Sequence, residues 1–222
     1  MLTKLKQLKT LITSKPSENL GDFAILKSDL LGAKAKPEIA SKLQQVVGYH
    51  PYINLEELSK YPEGTFGREY ADYMRENNLK PFNISPELEE VAKRNVFALR
   101  YVVTHDIFHL LLGFDTSYAG EIGVYAFAAA QNYSKSLKIS LWFARLLYPI
   151  LAPQQRQEIF NNIEKGVKIG KKAEFLLGFR FKEHWAKPIN ELRERLGLPQ
   201  FDKDLGKKAQ FIGGGQCPPY YY

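Results

Sequence analysis

Apolar residues recur at periods of three and four along nearly the whole chain, and alternating β-branched runs are almost absent, so this sequence is committed to helices. Helices are predicted over 2–13, 19–31, 37–47, 54–60, 66–77, 86–112, 117–134, 137–150, 153–165, 168–178 and 185–196. Phe175 to Phe181 also suits an extended segment. The run 86–112 is the best marked: Ser85 suits an N-cap, Pro86 the first helical position, and Glu87, Glu89 and Glu90 the positive end. Gly113 supplies the stop. The expected architecture is all-α, a single multi-helix domain over 1–210 with a flexible tail at 211–222, rich in glycine and proline.

Two of the chain's four histidines stand in this long helix, in His105-Asp106-Ile107-Phe108-His109. On a helical wheel His105, His109 and Asp106 fall at roughly 0°, 40° and 100°, on one flank. The short break Gly113 to Ser117 turns the chain into a central antiparallel helix hairpin. Counted outward from Asp115, His109 and Glu121 then stand at one height, ~9 Å from the tip at the rise of an α-helix. His105 lies one turn deeper, level with Tyr125, which can orient a ligand or a water.

Two imidazoles and up to two carboxylates make a mixed nitrogen–oxygen set. It suits a divalent metal, zinc first, with iron and manganese as alternatives; magnesium prefers more oxygen. Asp106 can act as a ligand or bond an imidazole from behind. A hydrogen-bonded histidine pair without metal is the plain alternative. Zinc proteases use H-E-x-x-H, and here aspartate replaces the glutamate base. A phosphohydrolase of the HD type needs a further upstream histidine, for which only His50 is available.

The net charge of +7 admits anionic partners. Lys4, Lys6, Lys9 and Lys15 open the chain without an acid among the first seventeen residues, so 2–13 reads as a first helix or a segment on a membrane surface. Lys165, Lys168, Lys171 and Lys172 form a second basic row, read as a solvated helix face or an anionic contact. Neither row is tied to a nucleic-acid motif, so no nucleic acid is expected. Leu137 to Pro153 is interrupted by Lys138 and Arg145 and is read as a buried helix, not a membrane span. The single cysteine, Cys217, suits a reducing compartment.

The stretch Arg100 to Gly113, followed by Gly120-Glu121-Ile122, resembles the signature of the coenzyme Q biosynthesis protein 4 family: H-D-x-x-H, eleven residues, then E. Tyr61-Pro62-Glu63-Gly64-Thr65-Phe66-Gly67-Arg68-Glu69-Tyr70 resembles the family's upstream segment. Trp185 and Leu192 to Leu198 resemble its C-terminal helix, so the likeness spans about 61–198 in order.

The resemblance implies an all-helical protein of isoprenoid-quinone biosynthesis, with His105, Asp106, His109 and Glu121 as metal ligands and magnesium as one more candidate ion. It implies a polyprenylated ring precursor or prenyl phosphate as ligand, other quinone-biosynthesis proteins as partners, and a cytoplasmic protein peripherally attached to the inner face of a membrane. Family members are credited with oxidative removal of the C1 carboxylate of a polyprenyl-hydroxybenzoate, which makes a metal-dependent lyase the expected enzyme. A scaffold that binds prenyl lipid without turnover, and a metal hydrolase, are the alternatives. Arg68 and Arg100 are candidates for the anionic head group. Leu141, Trp142, Leu146 and Tyr148 are candidates for a lipid groove, or else plain core. Val102 and Val103 depart from the arginine–glutamate pair typical of ubiquinone-making members, so a different quinone stays open. No long transit sequence precedes the domain, so a bacterial-type member is expected, with a homodimer as the common oligomer.

Overall fold

The computed structural model describes residues 19–200; the predicted helix 2–13, the tail and Cys217 lie outside them. Ten α-helices are formed among the described residues: α1 (Leu20–Leu30), α2 (Pro37–Lys42), α3 (Leu55–Leu58), α4 (Phe66–Glu76), α5 (Glu89–Arg94), α6 (Val96–Leu112), α7 (Tyr118–Ala130), α8 (Lys135–Leu151), α9 (Arg156–Lys172) and α10 (Ile189–Arg195). These residues contain no sheet, only an isolated bridge between Thr65 and Pro188. The fold is all-α, as the periodicity dictates.

Two departures from the sequence reading bear on how the site is built. The run 86–112 is not one rod. A 3-10 turn at Pro86–Leu88 leads into α5, and the chain breaks at Asn95 (φ −114°, ψ 70°) before α6 begins. Asn95 favours the break because its side chain does three things there. Its Oδ1 accepts from the Ala98 N–H at 3.1 Å, and its Nδ2 donates to Asp29 at 2.9 Å and to the Ala33 carbonyl at 3.0 Å. A short polar side chain that bonds nearby backbone competes with helix continuation, and here tertiary partners tip that balance.

The other difference runs the opposite way. The runs 153–165 and 168–178 are read apart, but α9 passes straight through Gly166 and Gly170 to Lys172. Those glycines are contact points. A Cβ on Gly166 would lie 2.3 Å from the Gly123 carbonyl oxygen, and one on Gly170 would lie 2.6 Å from that of Phe127. The Asn162 side chain donates to the Ala119 carbonyl at 2.9 Å. The pairs Ala119–Asn162, Gly123–Gly166 and Phe127–Gly170 advance together, so α7 and α9 run parallel with their backbones nearly touching. Phe175 to Phe181 resolves into a 3-10 turn at Leu176–Gly178 and the start of another at Phe181, with Leu176, Leu177 and Phe181 buried.

The main core gathers Phe66, Tyr70, Phe108, Phe127 and Phe181. The two outer segments of the family-like pattern meet beside it. Trp185 stacks on Phe66 with centroids 4.6 Å apart, and its carbonyl accepts from the Gly67 N–H at 2.8 Å. Arg193 on α10 then donates to the carbonyls of Leu110 and Leu111, the last residues of α6 before Leu112. Those carbonyls have no partner within the helix, so Arg193 fixes the end of α6.

The segment 137–153, read as buried, is a surface helix instead. Only Leu137, Ala144 and Tyr148 of α8 are buried. No helix among the described residues is long and apolar enough to cross a membrane.

Alanine at an exposed helical glycine ordinarily stabilises by about 1 kcal/mol. Gly166→Ala should do the reverse and destabilise by about 2 kcal/mol, because the Gly123 backbone must move. Urea denaturation reads the sign directly, and a stabilised variant would count against the α7–α9 contact.

Candidate metal centre

The centre begins with the end of α6. Gly113 adopts the left-handed conformation (φ 69°, ψ 42°), and both its N–H and that of Phe114 return to the His109 carbonyl. A side-chain-bearing residue adopts that conformation at a cost, so glycine sets where the helix stops. Ser117 then caps α7, its Oγ accepting from the Gly120 N–H at 3.1 Å, and Asp115 accepts from the Ser117 N–H at 3.0 Å. Glu121 falls in the first turn of α7, where the helix dipole favours an anion.

These two ends bring three side chains together. His105, His109 and Glu121 are each 2% exposed. Each offers a ligand atom, and the three atoms lie within 4.8 Å of one another. His109 Nε2 is 3.3 Å from Glu121 Oε1, and His105 Nε2 is 3.6 Å from Glu121 Oε2. Ligands arranged tetrahedrally around zinc at ~2.0–2.2 Å are separated by about 3.4 Å. The donor set and its spacing therefore fit a divalent metal.

The tautomer of His109 follows from its neighbour. Nδ1 lies 3.3 Å from the Phe114 carbonyl oxygen. A carbonyl only accepts, so Nδ1 must carry the proton, which leaves the Nε2 lone pair facing Glu121 when the ring is neutral. Burial opposes charge on this imidazole, but Glu121, Asp106 and the Phe114 carbonyl outweigh it and hold the pKa above its ordinary 6.5.

Asp106 is placed differently from the other three. It is 8% exposed, and its Oδ1 sits 3.8 Å from His105 Nδ1, on the side of the ring away from Glu121. That suits the second of its two expected roles, a carboxylate behind an imidazole, and it is absent from the close group. Tyr125 is half-buried and lies near enough to Tyr101 to raise its phenol, after burial itself.

Neither arginine expected at the head group is free for one. Arg100 is 1% exposed, and its guanidinium donates to the carbonyls of Leu177, Tyr49 and Phe179 at 3.0, 3.1 and 2.7 Å. Burial lowers its pKa to about 10. Arg68 is paired with Asp72 at 2.7 Å, one turn along α4. His50 pairs with Glu89 at 2.9 Å, outside the close group. The four groove candidates do not face one space. Tyr148 is buried edge-on to Tyr118 at 5.2 Å and Leu141 packs beside them, while Trp142 and Leu146 point outward at 59% and 55% exposure.

Sequence reasoning missed two phenols. The Tyr73 and Tyr101 hydroxyls are buried without a hydrogen-bond partner. The Tyr101 ring meets His105 at 6.0 Å, T-shaped, and the charges of Asp106 and Glu121 act on Tyr73 after burial. Tyr101 lies one turn before His105 and on its face of α6, a legible signal; Tyr73 comes from the distant α4.

The family model described as "Coenzyme Q (ubiquinone) biosynthesis protein Coq4" matches residues 34–202. This chain belongs to the Coq4 family. Among its relatives is the mitochondrial ubiquinone biosynthesis protein COQ4 homolog of Rattus norvegicus, 30% identical over 151 residues, which are 66% of this chain and 55% of that protein. The Bos taurus homolog is 31% identical over 177 residues, 75% of this chain and 63% of the relative. The chain thus spans a little over half the length of the rat relative. A solved structure from Nostoc punctiforme, of a protein assigned to ubiquinone biosynthesis, superimposes with a TM-score of 0.61 at 26% identity. The match covers 88% of this chain and 96% of that one.

In this Coq4 family chain the departure at Val102 and Val103 has a packing explanation. Val102 sits with Ala24 and Phe82, and Val103 with Ile25, Leu26 and Leu99. Both valines therefore seat α1 against α6, where a charge without a partner would be costly.

Binding a metal requires His109 to give up its second proton. Zinc affinity should therefore rise with pH up to the raised value of His109 and level off above it. In the metal-free protein, the stability from the His109–Glu121 pair should be full below the ordinary value of His109 and fade as pH rises through the raised one. Competition titrations with a chromophoric chelator follow the first effect, and a flat profile would exclude proton release from His109.

Proposed function

We propose that this chain binds a divalent metal, zinc first, through His105, His109 and Glu121, and that the centre serves isoprenoid-quinone biosynthesis. The observation that carries the reading is the fully buried group of two imidazoles and a carboxylate at coordination spacing. A carboxylate this deeply buried needs compensating charge, and a cation bound between these groups would add to what the two imidazoles supply to Glu121.

The ligand in this reading is a polyprenylated ring precursor bearing a carboxylate; the C1–carboxylate bond breaks, carbon dioxide leaves and a hydroxyl takes its place, with the two electrons passing to an external oxidant such as dioxygen. A bound divalent cation supplies Lewis-acid stabilisation of negative charge on a ring carboxylate or phenolate. The protein's own residues orient and desolvate. Phe114 holds the His109 ring through its carbonyl, Asp106 stands behind His105, and the Tyr73 and Tyr101 hydroxyls remain available to donate to a ring oxygen. The closed surroundings exclude water, which strengthens each of these contacts. Other quinone-biosynthesis proteins and a second copy of the chain are the partners that this reading admits.

Glu121→Gln should lower bound metal from near one ion per chain to below about a tenth, with the helical circular dichroism kept. A polyprenyl-hydroxybenzoate should lose carbon dioxide with the parent protein and not with His105→Ala. Full metal occupancy in Glu121→Gln rejects the centre. Binding of the precursor without turnover assigns the chain to prenyl-lipid carriage in place of catalysis.

A further inference from the structure

Seven of the ten large apolar residues recorded as exposed among the described residues lie on one helix: Ile139, Trp142, Phe143, Leu146, Leu147, Ile150 and Leu151 of α8. Their exposures run from 43% to 75%. The other three, Leu31, Val47 and Tyr52, are scattered. Spaced at three and four residues, the seven form a continuous strip across an arc of roughly 180°. A contiguous exposed apolar face of seven large side chains is uncommon on a monomer and marks an interaction surface.

Charge narrows the occupant. The chain has no aspartate or glutamate between Glu121 and Glu158, an interval that holds Lys135, Lys138, Arg145 and Arg156. Three of these cations belong to α8 and are exposed: Lys138 and Arg145 border the apolar strip on one side, and Lys135 stands at its N-terminal end; Arg145 also covers the Phe160 ring at 5.9 Å. The helix thus carries three sectors: a narrow seam of Leu137, Ala144 and Tyr148 that holds it to the protein, a wide apolar face, and an acid-free basic edge. Tryptophan, phenylalanine and aliphatic side chains beside lysine and arginine suit the boundary between headgroups and acyl chains, with the helix lying in that plane. A two-fold contact with a second copy would set the same cations against each other with no acid on the helix to answer them.

We propose that the outward face of α8 is a docking surface for an anionic lipid bilayer. The apolar strip enters the acyl boundary, and Lys135, Lys138 and Arg145 meet lipid phosphates. This surface involves no metal ligand and stands independently of the metal reading.

The test uses the full chain with vesicles of phosphatidylcholine alone and of phosphatidylcholine mixed with phosphatidylglycerol. The mixed vesicles should carry the protein in flotation and shift Trp142 emission to the blue. The double variant Trp142→Ser/Leu146→Ser should bind at least about tenfold more weakly with unchanged circular dichroism, since both side chains are exposed and unneeded for packing. Lys138→Glu should weaken binding to the mixed vesicles and leave that to phosphatidylcholine unchanged. Undiminished flotation of the double variant would place the contact elsewhere in the chain, at the basic N-terminal segment, and overturn the proposal. So would light scattering that shows a dimer dissolved by the same variant, with no vesicle bound by the parent.

Discussion

A carboxylate at 2% exposure between two imidazoles sets the terms for the rest of this fold. Glu121 is stable there only with compensating polar groups or charge, and the two histidines supply the nearest. They must then stay in place, because a buried charge that loses its partners is among the costliest local faults a protein can carry. The surrounding devices are consistent with that demand. Gly113 stops α6, Ser117 starts α7, the Phe114 carbonyl orients the His109 ring, and Arg193 fastens the carbonyls that end α6.

The support extends outward through α7. Its other side rests on α9 so closely that two glycines of α9 lie against its backbone carbonyls. Helices that meet backbone to backbone have little room to slide, so Glu121 inherits its position from a contact on the far side of its own helix. Arg100 acts comparably on the loops, with one guanidinium gathering three carbonyls from two distant stretches of chain. A lysine could not reproduce that, since it lacks the planar fork of donors.

Much of this was legible in the sequence. Period alone gives the all-α class, and two histidines one helical turn apart with a glutamate after a short break are enough to nominate the three residues that the fold gathers within 4.8 Å. What was hidden depended on partners far along the chain. Asn95 breaks a helix because Asp29 and Ala33 receive its amide, and a helix passes through Gly166 because the Gly123 carbonyl lies where a side chain would stand. Arg100 looks free in the sequence for the same reason, being saturated by carbonyls that only the fold supplies, whereas Arg68 is paired with Asp72 one turn along its own helix. The burial of 137–153 failed on a different ground. Apolar content and helical period describe a helix that buries every side and one that offers a side to something other than water in the same way.

The narrow seam of α8 has an evolutionary consequence. A helix held by so few buried side chains leaves its outward positions nearly uncoupled from folding stability, where surface changes usually fall within about 0.5 kcal/mol. Those positions can diverge without unfolding the chain, so selection acts on them through whatever they touch. Among relatives that share the buried histidines and glutamate, this face should keep its character only where its neighbour does, and its composition records the chain's surroundings separately from its chemistry.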